Sequence, residues 1–325
     1  MSDTDAAVDR AFLAMVLERH GQDAGALLDL GLRVMTGRDA PCSPVNGTAV
    51  IELAAERGHP QAQLYLSRLA AQGLGSRPGL AAAFDALERA SVAGDEAARA
   101  EREFMRARGL GSLEDALRWI DSPCEPEHLS RSPRAMAFRG LVDPVICQRL
   151  IELSTHRQAA AEIYDLTSGT KRTDPMRTNR RAPFSPVDIE LLLQLVRMRI
   201  GKIIDTPVDT FEFPEVLHYR VGERYKPHVD FFHVAVPRFA EHVRIHGQRV
   251  KTALVYLNDD YEGGTTSFPK LGLGFRGAVG DALVFHNVDD SGAGDMRTLH
   301  EGSPPSAGEK WLLSQWIRDR RQTFS

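Results

Sequence analysis

Two stretches near the start of the chain repeat each other. ELAAERGHPQAQLYLSRL, from Glu52, returns as LERASVAGDEAARAEREF, from Leu87, so that Gly58 falls on Gly94 and Ala62 on Ala98 at an offset of 36 residues. Self-similarity at such a period constrains architecture strongly, because each unit must bury its apolar face on its neighbours. In both copies a glycine stands between two alanine-rich segments. Small residues at helical spacing let helices approach closely, and the glycine ends one helix before the next begins. The region from about residue 10 to 120 therefore reads as a stack of antiparallel helix pairs, with a weaker copy around HGQDAGALLDLGLRVMTG.

These segments resemble Sel1-like repeats, relatives of the tetratricopeptide class, in their alanine-rich helix followed by Gly-x-x-x-Ala; the match is loose. The resemblance implies a scaffold or protein-binding surface. The plainer alternative is a helical cap that stabilises its neighbour, since arrays of this kind need about three repeats to stand alone.

Further along, the texture changes. DSPCEPEHLSRSPR, from Asp121 to Arg134, is rich in proline, serine and charge, and reads as a linker at 122–134 between a repeat domain at 1–121 and a second domain at 135–325. A length of 325 residues suits two cores of ordinary size. DPVICQRLIELSTHR and SPVDIELLLQLVRMRIGKII show helical spacing after a capping residue and proline, and both helices are expected to pack outside a barrel. After Thr210 come short strands punctuated by glycine and proline: EVLHYRVG, YKPHVDFF, KTALVYLND, GTTSFP, GAVGDALVFHNV, DMRTLHEG and KWLLSQWI. That spacing predicts a sandwich or barrel, with a double-stranded β-helix, a jelly-roll variant, as the closed form. The expected fold class is α+β: a jelly-roll core with flanking helices, preceded by an all-α repeat domain.

Composition narrows the function. With 42% hydrophobic and 26% charged residues, the chain has the make-up of a globular protein. A net charge of −4 gives no reason to expect a nucleic acid or an anionic membrane as partner. The N-terminal residues lack the basic-then-apolar run of a secretory signal, and no window approaches twenty uninterrupted apolar residues, so the expectation is a cytoplasmic protein. Cys42, Cys124 and Cys147 are odd in number and widely spaced, which fits reduced thiols better than a disulfide framework.

The chemistry concentrates in KPHVDFF. Residues two apart in a strand share a face, so His228 and Asp230 can form a pincer while Val229 points away. Two ligands hold a metal poorly. His300, in RTLHEG, is the strongest third candidate, and two histidines with one carboxylate on one face of an ion form the facial triad of non-haem iron(II) oxygenases, with open positions for substrate and dioxygen. A 2-oxo acid chelated there needs a cation for its far carboxylate. Lys310, in GEKWLLSQW, fits that role, because a lysine in so apolar a strand is costly unless an anion accompanies it.

HYRVGERYKPHVDFF, ALVYLNDDYEGGTTSFP, GDALVFHN and TLHEGSPPSAGEKWLLSQWI resemble successive blocks of the prolyl 4-hydroxylase branch of the 2-oxoglutarate- and iron(II)-dependent dioxygenases, and MRTN, Met176 to Asn179, resembles that branch's Arg-Thr-Ser block. The resemblance spans roughly residues 135 to 320. It implies iron ligation by His228, Asp230 and His300, and binding of the 2-oxoglutarate C5 carboxylate by Lys310. It further implies co-substrate contacts from Tyr219, Tyr256 and Thr266, and peptide binding by Arg177. His286 stands where related enzymes often carry an aromatic residue on the substrate side, and is expected to line that side. The implied reaction is 4-hydroxylation of peptidyl proline with conversion of 2-oxoglutarate to succinate, with ascorbate assisting by keeping iron reduced and the repeats recruiting the protein substrate. Two other classes stay open: a hydroxylase of a free amino acid or small metabolite, and an oxygen-responsive binding protein. A zinc hydrolase is disfavoured, because neither H-E-x-x-H nor an adjacent carboxylate base is present.

Overall fold

The computed structural model describes residues 8–21, 23–160, 162–164, 171–173 and 176–322. Seven helices among them precede the first strand: α1 (Arg10–His20), α2 (Ala24–Thr36), α3 (Pro44–Glu56), α4 (Pro60–Ala71), α5 (Leu80–Val92), α6 (Glu96–Ala107) and α7 (Leu113–Asp121). Their starts follow from the sequence. Asp9, Asp23, Asp95 and Ser112 accept backbone amides as N-caps, and proline opens α3 and α4. The repeated segments are the hairpins α3–α4 and α5–α6. Gly58 and Gly94 turn each hairpin at φ of +80° and +96°, where a side chain would be strained, and Ala62 and Ala98 are fully buried. Among the described residues no helix is long and apolar enough to cross a membrane.

Three further helices follow: α8 (Pro144–Thr155), α9 (Leu191–Ile203) and α10 (Pro237–His246). The chain divides into two units, and the division departs from the expected boundaries. One unit joins the residues up to Ser122 with Ser185–Ile204; the other holds Pro123–Phe184 and Asp205–Gln322. Helix α9 therefore belongs with the repeats rather than on the outside of a barrel. Its residues from Leu191 to Val196 are all buried, as a helix apolar around most of its girth requires. Arg199 Nη1 donates to Ser122 O at 3.1 Å and to Trp119 O, while Arg68 of α4 and Gln72, its C-cap, donate to Val187 O and Pro186 O at 2.8 and 2.7 Å.

The second unit is built on two antiparallel sheets. The larger runs β1 (Pro126–Arg131), β2 (Arg134–Phe138), β13 (Ala282–His286), β9 (Arg249–Tyr256), β16 (Lys310–Arg318), β7 (Glu215–Tyr219), β6 (Arg180–Pro183) and β3 (Ala159–Ala160). The smaller runs β12 (Leu273–Phe275), β11 (Thr266–Phe268), β14 (His300–Gly302) and β8 (Tyr225–His228). Two short ribbons pair β10 (Glu262–Gly263) with β15 (Pro305–Ala307), and β4 (Glu162–Tyr164) with β5 (Lys171–Thr173). Strands distant in sequence lie side by side, as in a jelly roll. The middle of the expected linker, Pro126–Arg131, is in fact strand β1. Proline at the first residue of an exposed edge strand costs no ladder bond, which is why its composition disguised it.

Alternate residues of the large sheet face the small one. Leu217 and Tyr219, Leu254 and Tyr256, Leu283 and Phe285, and Leu312 form one core with Phe268 and Phe275.

Candidate metal centre and co-substrate cavity

Strands β8 and β14 are neighbours, and His228 stands directly opposite His300. The pairing alone brings two imidazoles from distant parts of the chain to a centroid separation of 4.3 Å. Asp230 lies just past the end of β8, in a bend, so strand parity is not what aims it. Its Oδ1 is 3.7 Å from His228 Nε2 and its Oδ2 3.7 Å from His300 Nε2. One ligand atom from each of the three residues lies within 4.8 Å of the others. An ion held at ordinary bond lengths by three ligands at right angles needs separations of about 3 Å, slightly below those seen.

Both imidazoles are oriented by backbone carbonyls. His228 Nδ1 donates to Lys226 O at 2.8 Å and His300 Nδ1 to Thr298 O at 3.0 Å. A carbonyl only accepts, so each Nδ1 carries a proton, and Nε2 is the nitrogen that each ring turns toward Asp230. Burial, reinforced by nearby His300, pushes the His228 imidazole down to about 3, which keeps it in the neutral, ligating form. Burial pushes the Asp230 carboxyl up, but His300, His228, Arg249 and the Thr252 hydroxyl outweigh it and hold the group below its ordinary value.

The other end of the site is Lys310, the first residue of β16. It is fully buried, and its Nζ donates to Gly264 O at 2.6 Å and lies 3.4 Å from Thr266 Oγ1. The rings of Tyr219 and Tyr256 each stand 5.4 Å from it. Among the described residues no carboxylate accompanies this ammonium. Burial first, and then the charge of Arg276, push it down to about 7. A dry cation without an anion is a place prepared for one.

Lys310 and the three candidate ligands line one cavity with Arg177, Tyr219, Tyr225, Thr266, Leu254, Leu312, Ser314 and Trp316. Lys310, Leu312, Ser314 and Trp316 alternate along β16, the period of one strand face. Tyr219 and Thr266, expected to contact a co-substrate, thus line the same cavity as the candidate ligands. Arg177, expected to bind a peptide, lines it as well. It is buried, its guanidinium lies 4.6 Å over the Tyr225 ring, and its Nε donates to Asn179 Oδ1 at 3.2 Å. Its Nη2 is buried without a hydrogen-bond partner, 3.7 Å from Glu215 Oε2.

Two expectations are corrected. Tyr256 does not line the cavity: its hydroxyl is engaged with Thr266 Oγ1 at 2.8 Å and Phe275 O at 3.2 Å, one layer behind. His286 faces away from it. On β13 it is Phe285 that points inward, its ring 4.8 Å from His300, whereas His286 is directly opposite Lys251 on the other face. One residue went unforeseen. Tyr225 stacks on His228 at 3.4 Å. The β8–β14 register slips between the pairs His300–His228 and Gly302–Tyr225, three residues against two, and this bulge turns Tyr225 to the same side as His228.

Comparison with known proteins agrees with this geometry. Residues 214–318 match the 2OG-Fe(II) oxygenase superfamily. Probable prolyl 4-hydroxylase 3 of Arabidopsis thaliana is 30% identical over 231 residues, covering 65% of this chain and 76% of its own. The chain belongs to the prolyl 4-hydroxylase family. Prolyl 4-hydroxylase 1 of the same plant is 28% identical over 239 residues, 66% of this chain and 83% of its own. Among solved structures, the viral collagen prolyl hydroxylase of Paramecium bursaria Chlorella virus-1, in its 2OG complex, aligns over 57% of this chain and 95% of its own, with 24% identity and a TM-score of 0.44. Members of this family use iron(II) and 2-oxoglutarate, and the donor set of two imidazoles and one carboxylate, in one cavity with an ammonium that no carboxylate accompanies among the described residues, fits both.

Proposed function

We propose that this prolyl 4-hydroxylase family member hydroxylates peptidyl proline at C4, using 2-oxoglutarate. The observation that carries the reading is the convergence of His228, Asp230 and His300 in the same cavity as the unaccompanied ammonium of Lys310. When bound, iron, 2-oxoglutarate and dioxygen supply the oxidising power that replaces a substrate hydrogen by hydroxyl, while 2-oxoglutarate becomes succinate and carbon dioxide.

The chain's own residues bind, orient and exclude. His228, Asp230 and His300 would hold the iron, leaving its remaining positions open. Lys310 would neutralise the far carboxylate of 2-oxoglutarate, with the Thr266 and Tyr219 hydroxyls as donors beside it. Leu254, Leu312 and Trp316 keep water from the reacting atoms. Arg177 and Tyr225, stacked on one another next to His228, form the side on which a peptide docks. To the helical unit we assign the recruitment of the protein that carries this proline. In support, it has a cleft lined by Glu52, Glu56, Asp85, Arg77 and Arg89, matched to a polar chain of mixed charge.

The test is incubation of the purified protein with iron(II) and 2-oxoglutarate, with a proline-rich peptide or with free proline. Succinate release stimulated by the peptide, with the mass of one oxygen atom gained on a proline, is the expected result. Release stimulated only by free proline would transfer the assignment to a small-molecule hydroxylase.

A further inference from the structure

We infer that Thr252 and Asn287 form a two-link relay that orients the Asp230 carboxylate toward the metal, which makes both of them positioning residues of this centre. The inference rests on the metal-centre reading above and adds to it two residues outside the ligand set.

Thr252 lies on β9 and Asn287 directly after β13, neighbouring strands of the large sheet, and the two are 1% and 0% exposed. Thr252 Oγ1 is 2.7 Å from Asp230 Oδ2, and Asn287 Nδ2 is 2.9 Å from Thr252 Oγ1. Proton counting gives this chain a single direction. An ionised carboxylate has only acceptors, so the Thr252 hydroxyl must spend its one proton on Asp230. Its oxygen is then free only to accept, and the Asn287 amide group supplies the donor. Reversing the amide would set an acceptor against an oxygen with no proton left to give.

The anchor of the relay is fixed on both sides. Asn287 N donates to Val250 O at 2.8 Å, and Asn287 O accepts from Asp295 N at 3.0 Å. The side-chain oxygen, Asn287 Oδ1, is buried with no hydrogen-bond partner. An orphaned amide oxygen is costly in a dry interior. That cost is accounted for if the residue is held for the bond its Nδ2 makes. The relay also distinguishes the two oxygens of Asp230. Each oxygen faces one imidazole at 3.7 Å, but Oδ2 already holds the Thr252 donor, which leaves Oδ1 with both lone pairs for a metal. A ligand carboxylate fixed in this way loses less freedom on binding, and partners of this kind set metal affinity.

The test uses the full-length protein with 2-oxoglutarate and Mn(II), a redox-inert probe, in binding titrations read separately from turnover. Thr252→Val keeps shape and removes the proton; Thr252→Ser keeps the proton. Thr252→Val is expected to weaken Mn(II) binding about 10- to 100-fold and Asn287→Leu about 3- to 10-fold, with Thr252→Ser within about threefold of wild type. Mn(II) binding by Thr252→Val as tight as wild type, or a Thr252→Ser loss equal to that of Thr252→Val, overturns the relay. Should Thr252→Val not fold, Asn287→Leu decides: unchanged Mn(II) affinity overturns the proposal and a loss supports it. His228→Ala separates the two layers of argument, since unweakened Mn(II) binding there would remove the metal centre itself and not only its relay.

Discussion

Replacing Lys310 by methionine should stabilise the protein while destroying its response to 2-oxoglutarate. The ammonium is fully buried, and its fall from 10.5 to about 7 corresponds to about 5 kcal/mol, at about 1.4 kcal/mol per pH unit, for keeping the charge in the folded interior. Methionine fills nearly the same volume without a charge. Against this gain, the Gly264 carbonyl loses its 2.6 Å donor, a cost of about 1–3 kcal/mol. The balance is a gain of about 2–4 kcal/mol near neutral pH, or roughly 5–10 °C in Tm for a unit of this size. The assay is thermal unfolding of wild type and variant with Mn(II), with and without 2-oxoglutarate. Wild type should rise by about 2.7 kcal/mol at a co-substrate concentration 100 times Kd, whereas the variant should start higher and not move. A variant less stable than wild type without co-substrate would refute the reasoning, because it would mean the amine is already hydrated or paired.

The same lysine sets a pH dependence. Its folded value lies below its unfolded one, so the folded protein binds fewer protons between about pH 7 and 10.5, and the stability of the co-substrate-free wild type should rise with pH across that window. Over the same window 2-oxoglutarate affinity should fall, by up to about tenfold per pH unit, as measured by calorimetric titration. His228→Ala should abolish turnover yet leave the far-ultraviolet circular dichroism unchanged, since the side chain is a candidate ligand and stands outside the apolar core; retained succinate release would remove it from the metal centre. Gly302→Val should weaken 2-oxoglutarate about tenfold while sparing Mn(II), because a Cβ there stands 3.0 Å from the Tyr219 hydroxyl. Equal affinity would show that Tyr219 does not contact the co-substrate. Arg177→Gln should raise KM for the peptide and leave peptide-independent 2-oxoglutarate turnover in place.

The three candidate ligands and Lys310 were legible in the sequence because they occur together: His228 and Asp230 alone are a common pattern, but His300 ten residues before a lysine inside KWLLSQW, where an anion is wanted wherever the strand lies, is not. The strands from Glu215 onward were legible from their turns. What escaped shows where local pattern fails. Tyr225 depends on a bulge, and one inserted residue reverses which spacing shares a face. His286 was misplaced because ALVF is apolar on both sides, so alternation could not say which residue faces the cavity. Tyr256 stands on the inward face, but its hydroxyl is satisfied by Thr266 and Phe275, which no spacing rule could reveal. Thr252 and Asn287 carry no signature beyond being polar in apolar surroundings. Helix α9 misled because its sequence announces burial without naming the surface that buries it.

The placement of α9 also bears on the order of synthesis. A ribosome that has released α1 to α7 has made only part of the helical unit, since the helix that covers α4 and α7 is encoded after the first strands of the other unit. Until residue 204 emerges, the apolar surfaces awaiting it stay open to water and to chaperones. A gene fragment cut at the proline-rich segment would leave them so permanently.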